Sequence, residues 1–255
     1  EGEPVGAFYG IKWAESFSDL PAGVDHSHFD INDDGYVVYV GQGNSWRDGK
    51  AKGLWGTTGV VDGQSYAWGA PIRMLNDEGL ANHRIGTAMP DFNWSFSNTF
   101  RYGGLSVYTL LDASYGFSVY NKGRQWAIRD RMSPDMDQVG IPEAEQKPIG
   151  YYVELYAVNN LNSEFVEDGS FVKLREVSLR YDFANNALSR IGLSGIDRLA
   201  LMVTGRNLLT FTDYTGYDPE VGFSGGTAGS AALNRIDAYQ YPNYRTFSVG
   251  VEIGF

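Results

Sequence analysis

The 255-residue chain has no cysteine, so it can build neither a disulfide framework nor a thiolate metal site. It also lacks any run of about 18 apolar residues, the length a helix needs to cross a bilayer, so a membrane role would have to come from strands. Basic residues are few, 20 against 31 acidic for a net charge of −11, and they do not cluster. Phosphate contacts need clustered Lys and Arg, so no nucleic-acid partner is expected. Three histidines and no phosphate-cradling glycine motif leave little for catalysis. Carboxylates are numerous enough for a glycosidase pair, but number is not geometry, and no catalytic residue is assigned. Residues 1–5 show neither a basic nor an apolar leader region, so any signal peptide is expected to have been removed or to lie upstream.

Aromatics and glycine are abundant: 17 Tyr, 14 Phe and 32 Gly, a balance that suits pleated surfaces and turns. Period-two alternation then picks out about six strands. The clearest places Phe247, Val249, Val251, Ile253 and Phe255 on one face, against Thr246, Ser248, Gly250, Glu252 and Gly254. Leu199, Leu201 and Val203 similarly oppose Arg198, Ala200, Thr204 and Arg206. Val177, Leu179, Tyr181 and Phe183 oppose Glu176, Ser178, Arg180 and Asp182. Leu105, Val107 and Leu111 oppose Ser106, Tyr108, Asp112 and Ser114, while Phe92, Trp94, Phe96, Phe100 and Tyr102 oppose Asn93, Ser95, Ser97, Thr99 and Arg101. A shorter first candidate runs from Ala7 to Trp13.

Connections between these strands alternate between short and long, as in outer-membrane barrels with short periplasmic turns and long external loops. A periplasmic C-terminus puts residues 16–89, 120–167 and 212–243 outside, and Gly103-Gly104 and 184–195 inside. Inward strands then finish at Tyr102, Phe183 and Phe255, where an interfacial aromatic girdle belongs. A basic side chain facing lipid at the midplane costs roughly 2–4 kcal/mol and an acidic one less, so Arg180, Arg198, Arg206 and Glu252 are expected to face the lumen. Lys173 and Arg175 conflict with this, because they share parity with Val177 and would sit at the outer rim. Since open sheet edges in lipid leave backbone groups unpaired, about six strands must be part of a larger barrel. The expected class is all-β, an antiparallel transmembrane β-barrel segment with long extracellular loops.

Phe171 to Leu179 (FVKLREVSL) resembles a late barrel strand of SusC/RagA-type TonB-linked transporters. Gly205 to Thr212 (GRNLLTFT), followed by Tyr214 to Val221 (YTGYDPEV), resembles that family's most recognisable block, and Tyr241-Pro242, Arg245-Thr246-Phe247 and Phe255 are similar to its ending. Upstream, Val5 to Gly10, Asp30 to Gly35, Ile85-Gly86 and Met89 to Phe92 occur in the family's order. The resemblance implies that residues 1–255 are a C-terminal portion of a barrel of about 22 strands, without its plug. It further implies import of oligosaccharides, or of peptides, across the outer membrane of a Gram-negative bacterium. The implied partners are a SusD-like surface lipoprotein, the TonB–ExbB–ExbD complex, the barrel-assembly machinery and membrane lipid. The alternative is a non-transporting β-barrel or a soluble β-sandwich that binds glycans.

Four aromatics of the first long connection, Trp46, Trp55, Tyr66 and Trp68, are candidates for stacking on sugar rings, with loop packing as the ordinary use of such residues. Asp30, Asn32, Asp34 and Gly35 match the first half of a calcium loop, but Gly41 stands where the closing Glu belongs. An Asx-rich turn explains the same spacing, and no cofactor is assigned. Asp25, His26, His28 and Asp30 read as a solvated loop rather than a metal site. Val251, Ile253 and the terminal Phe255 resemble the signal by which outer-membrane barrels are recognised for insertion.

Overall fold

The computed structural model describes residues 2, 4–47, 51–156, 161–190, 192–193, 195–221 and 235–255. Its strands, in chain order, are β1 (Ala7–Gly10), β2 (Phe29–Ile31), β3 (Val37–Tyr39), β4 (Thr58–Val61), β5 (Gln64–Ala67), β6 (His83–Thr87) and β7 (Phe92–Tyr102). They continue with β8 (Leu105–Tyr115), β9 (Ser118–Asn121), β10 (Val166–Asp168), β11 (Phe171–Phe183), β12 (Arg198–Thr212), β13 (Ile236–Asp237) and β14 (Thr246–Gly254). The helices are α1 (Ala51–Leu54), α2 (Lys122–Arg129), α3 (Ile149–Tyr156) and α4 (Asn185–Arg190). No described helix is long and apolar enough to cross a membrane. The chain divides into two compact units, the first made of Glu1–Met89, Ser118–Glu167 and Gly222–Tyr239, the second of Pro90–Phe117, Asp168–Val221 and Gln240–Phe255.

The second unit carries one antiparallel sheet of five strands in the order β14-β12-β11-β8-β7. Its register aligns the alternation of all five. Phe96 faces Leu111, Leu179 faces Val107 and Val203, and Val251 faces Leu201, so the apolar residues share one surface. That surface is open: Phe96, Phe100, Val203, Phe247, Val249 and Val251 are all exposed. A sandwich would cover it with a second sheet, whereas in lipid it needs no cover. The strand ends also meet as expected, since Tyr102 and Tyr181 both face Leu105, and Phe183 faces Leu199 beside Ile253. β7 and β8 are joined by Gly103-Gly104 alone, and Gly103 takes φ +57°, the left-handed conformation that two-residue hairpins require.

Two expectations are corrected. The first candidate strand does not join this sheet; Ala7–Gly10 pairs with β6 inside the first unit, because four residues cannot span a hydrocarbon core. The long connections fold into that unit as well, around Phe8, Ile11, Trp13, Tyr120, Tyr151 and Phe165 and around Leu20, Phe29, Val37, Tyr39 and Ile72. Lys173 does not lie on the apolar face. The register of β11 shifts between Leu174 and Glu176 against both neighbours, leaving Arg175 as an extra residue. One inserted residue reverses parity, so Lys173, opposite Asp112 and Thr210, shares the polar face with Glu176, opposite Leu110 and Arg206. On β12 the same shift skips Asn207 and Leu208, two residues, and parity there is unchanged.

Candidate functional site

The polar face of the sheet carries the charged residues expected in the lumen, paired across strands. Arg206 Nε donates to Glu176 Oε2 at 3.0 Å from the directly opposed position. Arg180 Nη1 donates to Glu252 Oε2 at 2.7 Å and its Nε to Asp182 Oδ2 at 3.0 Å, while Arg198 lies 3.1 Å from Glu252. β12 runs between β11 and β14, and the bridge from Arg180 to Glu252 crosses it beside Ala200, whose small side chain is fully covered. Ser178 and Thr204 hydroxyls meet at 2.7 Å on the same face. Near Gly103, this face opens a cleft of about 540 Å³ lined by Arg101, Tyr108, Arg180, Asp182 and Arg198 among others.

A denser cluster sits at the bulge. Lys173, 2% exposed, donates to Asp218 Oδ1 at 2.5 Å and to Glu220 Oε2 at 2.8 Å. Arg175 Nη2 reaches Asp112 Oδ2 at 2.7 Å, its Nη1 reaches Glu220 Oε2 at 2.6 Å, and its Nη2 also bonds Glu220 Oε1. Ser95 Oγ donates to the other Asp112 oxygen at 2.8 Å. Asn243 closes the group from the far end of the β12–β14 connection, its N–H on Asp218 Oδ2 and its Nδ2 on Glu220 Oε2, each at 3.1 Å. Burial pushes the Glu220 carboxyl up, but hydrogen bonds from Arg175 and Lys173 outweigh it and hold the group down at about 2. No motif in the sequence marks this cluster. Its only signal was the pair of cations out of phase with Val177, which is what a bulge looks like in a sequence.

The first unit receives the aromatic and calcium candidates. Trp46 and Trp68 are buried and stack on each other, with centroids 5.5 Å apart and planes 4° apart. Trp68 Nε1 donates to the Val40 carbonyl at 2.9 Å and Trp46 Nε1 to Asp33 at 3.2 Å. Their rings therefore serve packing and are closed to a sugar, which corrects the expectation at these two positions. Trp55 packs, partly buried, against that cluster. Tyr66 stacks on Tyr39 at 5.8 Å and meets Phe29 edge-on, and it reaches the wall of a cleft of about 740 Å³ that also includes Arg73 and Glu154.

Asp30, Asn32 and Asp34 flank the β2–β3 turn, and their oxygens face protein donors. Asp30 accepts from Ser45 Oγ and the Trp46 N–H, both at 2.9 Å. Asn32 accepts from the N–H groups of Asp34 and Tyr36, and Asp34 from Lys147 at 2.5 Å and from the Tyr151 hydroxyl. Burial and then Asp34 raise the Tyr151 phenol far above its ordinary value, which keeps its proton available for that bond. The arrangement is that of an Asx-rich hairpin turn. No group of metal-binding side chains is gathered among the described residues.

No protein-family profile matches the chain. Over its full length it is 27% identical to TonB-dependent receptor P3 and 29% identical to TonB-dependent receptor P39, both of Formosa agariphila. It spans 22% and 25% of those proteins. In fold, 98% of the chain matches 23% of a chain of the RagAB peptide importer in its closed-closed state, with a TM-score of 0.56 at 18% identity. The open-open state matches with a TM-score of 0.54. With one face of its sheet apolar and open and the other charged, the chain is similar from end to end to a segment of these TonB-dependent receptors, and its fold is that of part of a RagAB chain.

Proposed function

We propose that the complete receptor imports a nutrient, with oligosaccharide as the favoured cargo, past a lumen wall that includes the polar face of this sheet. TonB–ExbB–ExbD would energise the cycle, and a SusD-like surface lipoprotein would cover the outer mouth. The observation that carries this reading is the division of the five-stranded sheet into an exposed apolar face and a charge-paired polar face. The likeness to TonB-dependent receptors supports energised import, and the likeness to RagAB supports a lipoprotein partner. RagAB is described as a peptide importer, which supports peptides as the second cargo class. Nothing in the reading requires catalysis by this chain.

Two measurements test it. In the full-length receptor, Glu252→Cys should react with a membrane-impermeant maleimide and Val251→Cys should not; the reverse pattern would end the reading. A receptor-deletion strain should lose growth on oligosaccharides as sole carbon source while keeping growth on peptides. Loss on peptides alone would exchange the cargo class.

A further inference from the structure

The ladder between β12 and β14 stops at Arg206 and Thr246, while β12 itself continues to Thr212. Residues 240–245, which lead the chain into β14, approach the sheet outside any strand. Side chains hold them instead. Asn243 donates from its N–H to Asp218 and from Nδ2 to Glu220, each at 3.1 Å, and the Tyr244 carbonyl accepts from Asn207 Nδ2 at 3.0 Å. Two of the groups behind this hold come from residues that the ladders leave out. Arg175 is skipped in the register of β11 against both β8 and β12, and Asn207 is skipped in that of β12 against β11. The two lie at one level of the sheet, since Glu176 faces Arg206 and Leu174 faces Leu209. An extra residue in a strand has its side chain free to be aimed elsewhere. Arg175 reaches Asp112 of β8 with Nε at 3.0 Å and Glu220 with Nη1 at 2.6 Å, which ties the first end of the connection to the strands. Asn207 takes φ +51°, a conformation Asn tolerates better than most residues, and ties the last end.

We propose that the paired bulges form a strap, in which Arg175 and Asn207 fasten both ends of the β12–β14 connection to the sheet and set where the chain enters β14. A continued ladder would hold the chain with backbone bonds, but only by running it straight alongside β12. Side-chain fastening lets the chain leave the sheet after Thr212 and return at Asn243 with both ends fixed. Bonds to a charged partner are about twice as strong as neutral ones, which suits a fastening with no ladder beside it. Lys173 completes the strap by holding Asp218 and Glu220 from within the sheet. The two ends of the connection therefore follow the sheet, and the strap can be loosened without unpairing β14. All of these residues belong to the second unit, and the inference holds for any cargo class.

Hydrogen–deuterium exchange of the full-length receptor in detergent tests this, read on peptides covering residues 240–246 and 247–254. Arg175→Met removes the charged link, and Asn207→Gly removes the amide while keeping a residue that accepts positive φ. The double variant should speed exchange in 240–246 by about tenfold or more and leave 247–254 unchanged. Unchanged exchange in 240–246 would overturn the inference, since something else would then hold the entry to β14. Equal acceleration in both peptides would also overturn it, because the pair would then support the whole sheet rather than its connection. If the double variant does not reach the membrane, Asn207→Gly alone decides. Exchange in 240–246 should then rise about threefold or more, and no rise ends the proposal.

Discussion

Lys173 and Asp218 stand 45 positions apart in the chain and meet at 2.5 Å with both side chains almost fully buried. The contact exists because the bulge at Arg175 turns Lys173 from the apolar face to the polar one. Removing one partner of a buried charged group strands the other. Lys173→Met should therefore cost about 3–5 kcal/mol of barrel stability, and the triple change with Asp218→Asn and Glu220→Gln should recover part of the loss. Urea unfolding of the full-length receptor followed by gel mobility checks both.

The same cluster fixes a pH response. The Glu220 carboxyl is depressed from 4.5 unfolded to about 2 folded, so its stabilisation is complete above pH 4.5 and is lost as pH falls towards 2. Stability contributed by this group should be flat from pH 7 to 5 and decline below. Comparing acid unfolding of Glu220→Gln with the unaltered receptor isolates the slope, and equal slopes below pH 4.5 would contradict the assignment.

The two faces of β14 should respond in opposite ways to charge. Val251→Arg puts a cation on the apolar surface and should cost roughly 2–4 kcal/mol near the midplane. Ser248→Arg on the polar surface should cost well under 1 kcal/mol, in keeping with positions that lack a specific packing role. Outer-membrane levels and urea midpoints of the two variants report the difference.

Trp68→Ala removes half of a buried stack and should destabilise the first unit by about 3–5 kcal/mol. Limited proteolysis should then cut within residues 1–89 at lower protease concentration than in the unaltered receptor. Strong resistance would mean that the stack is dispensable.

Deleting Phe255, the exposed aromatic that follows β14, should lower the amount of folded receptor reaching the outer membrane. Quantitative immunoblotting of membrane fractions measures it, and normal levels would remove the insertion role from this residue.

Strand alternation determined the sheet from the sequence alone. A period of two fixes which side chains share a face, and lipid on one side and water on the other give that alternation a direction, so Val251 and Glu252 could be assigned to faces before any pairing was known. Parity marks the inserted residue only as two cations out of phase with Val177, and which residue is inserted is decided by what the neighbouring strands face. Thus only the tertiary structure moved Lys173 to the polar face and joined it to Asp218 and Glu220. Only the tertiary structure, too, turned the long connections into a unit with its own core, in which Trp46 and Trp68 cover each other. Burial there is decided by contacts between distant segments, and local sequence pattern does not encode them.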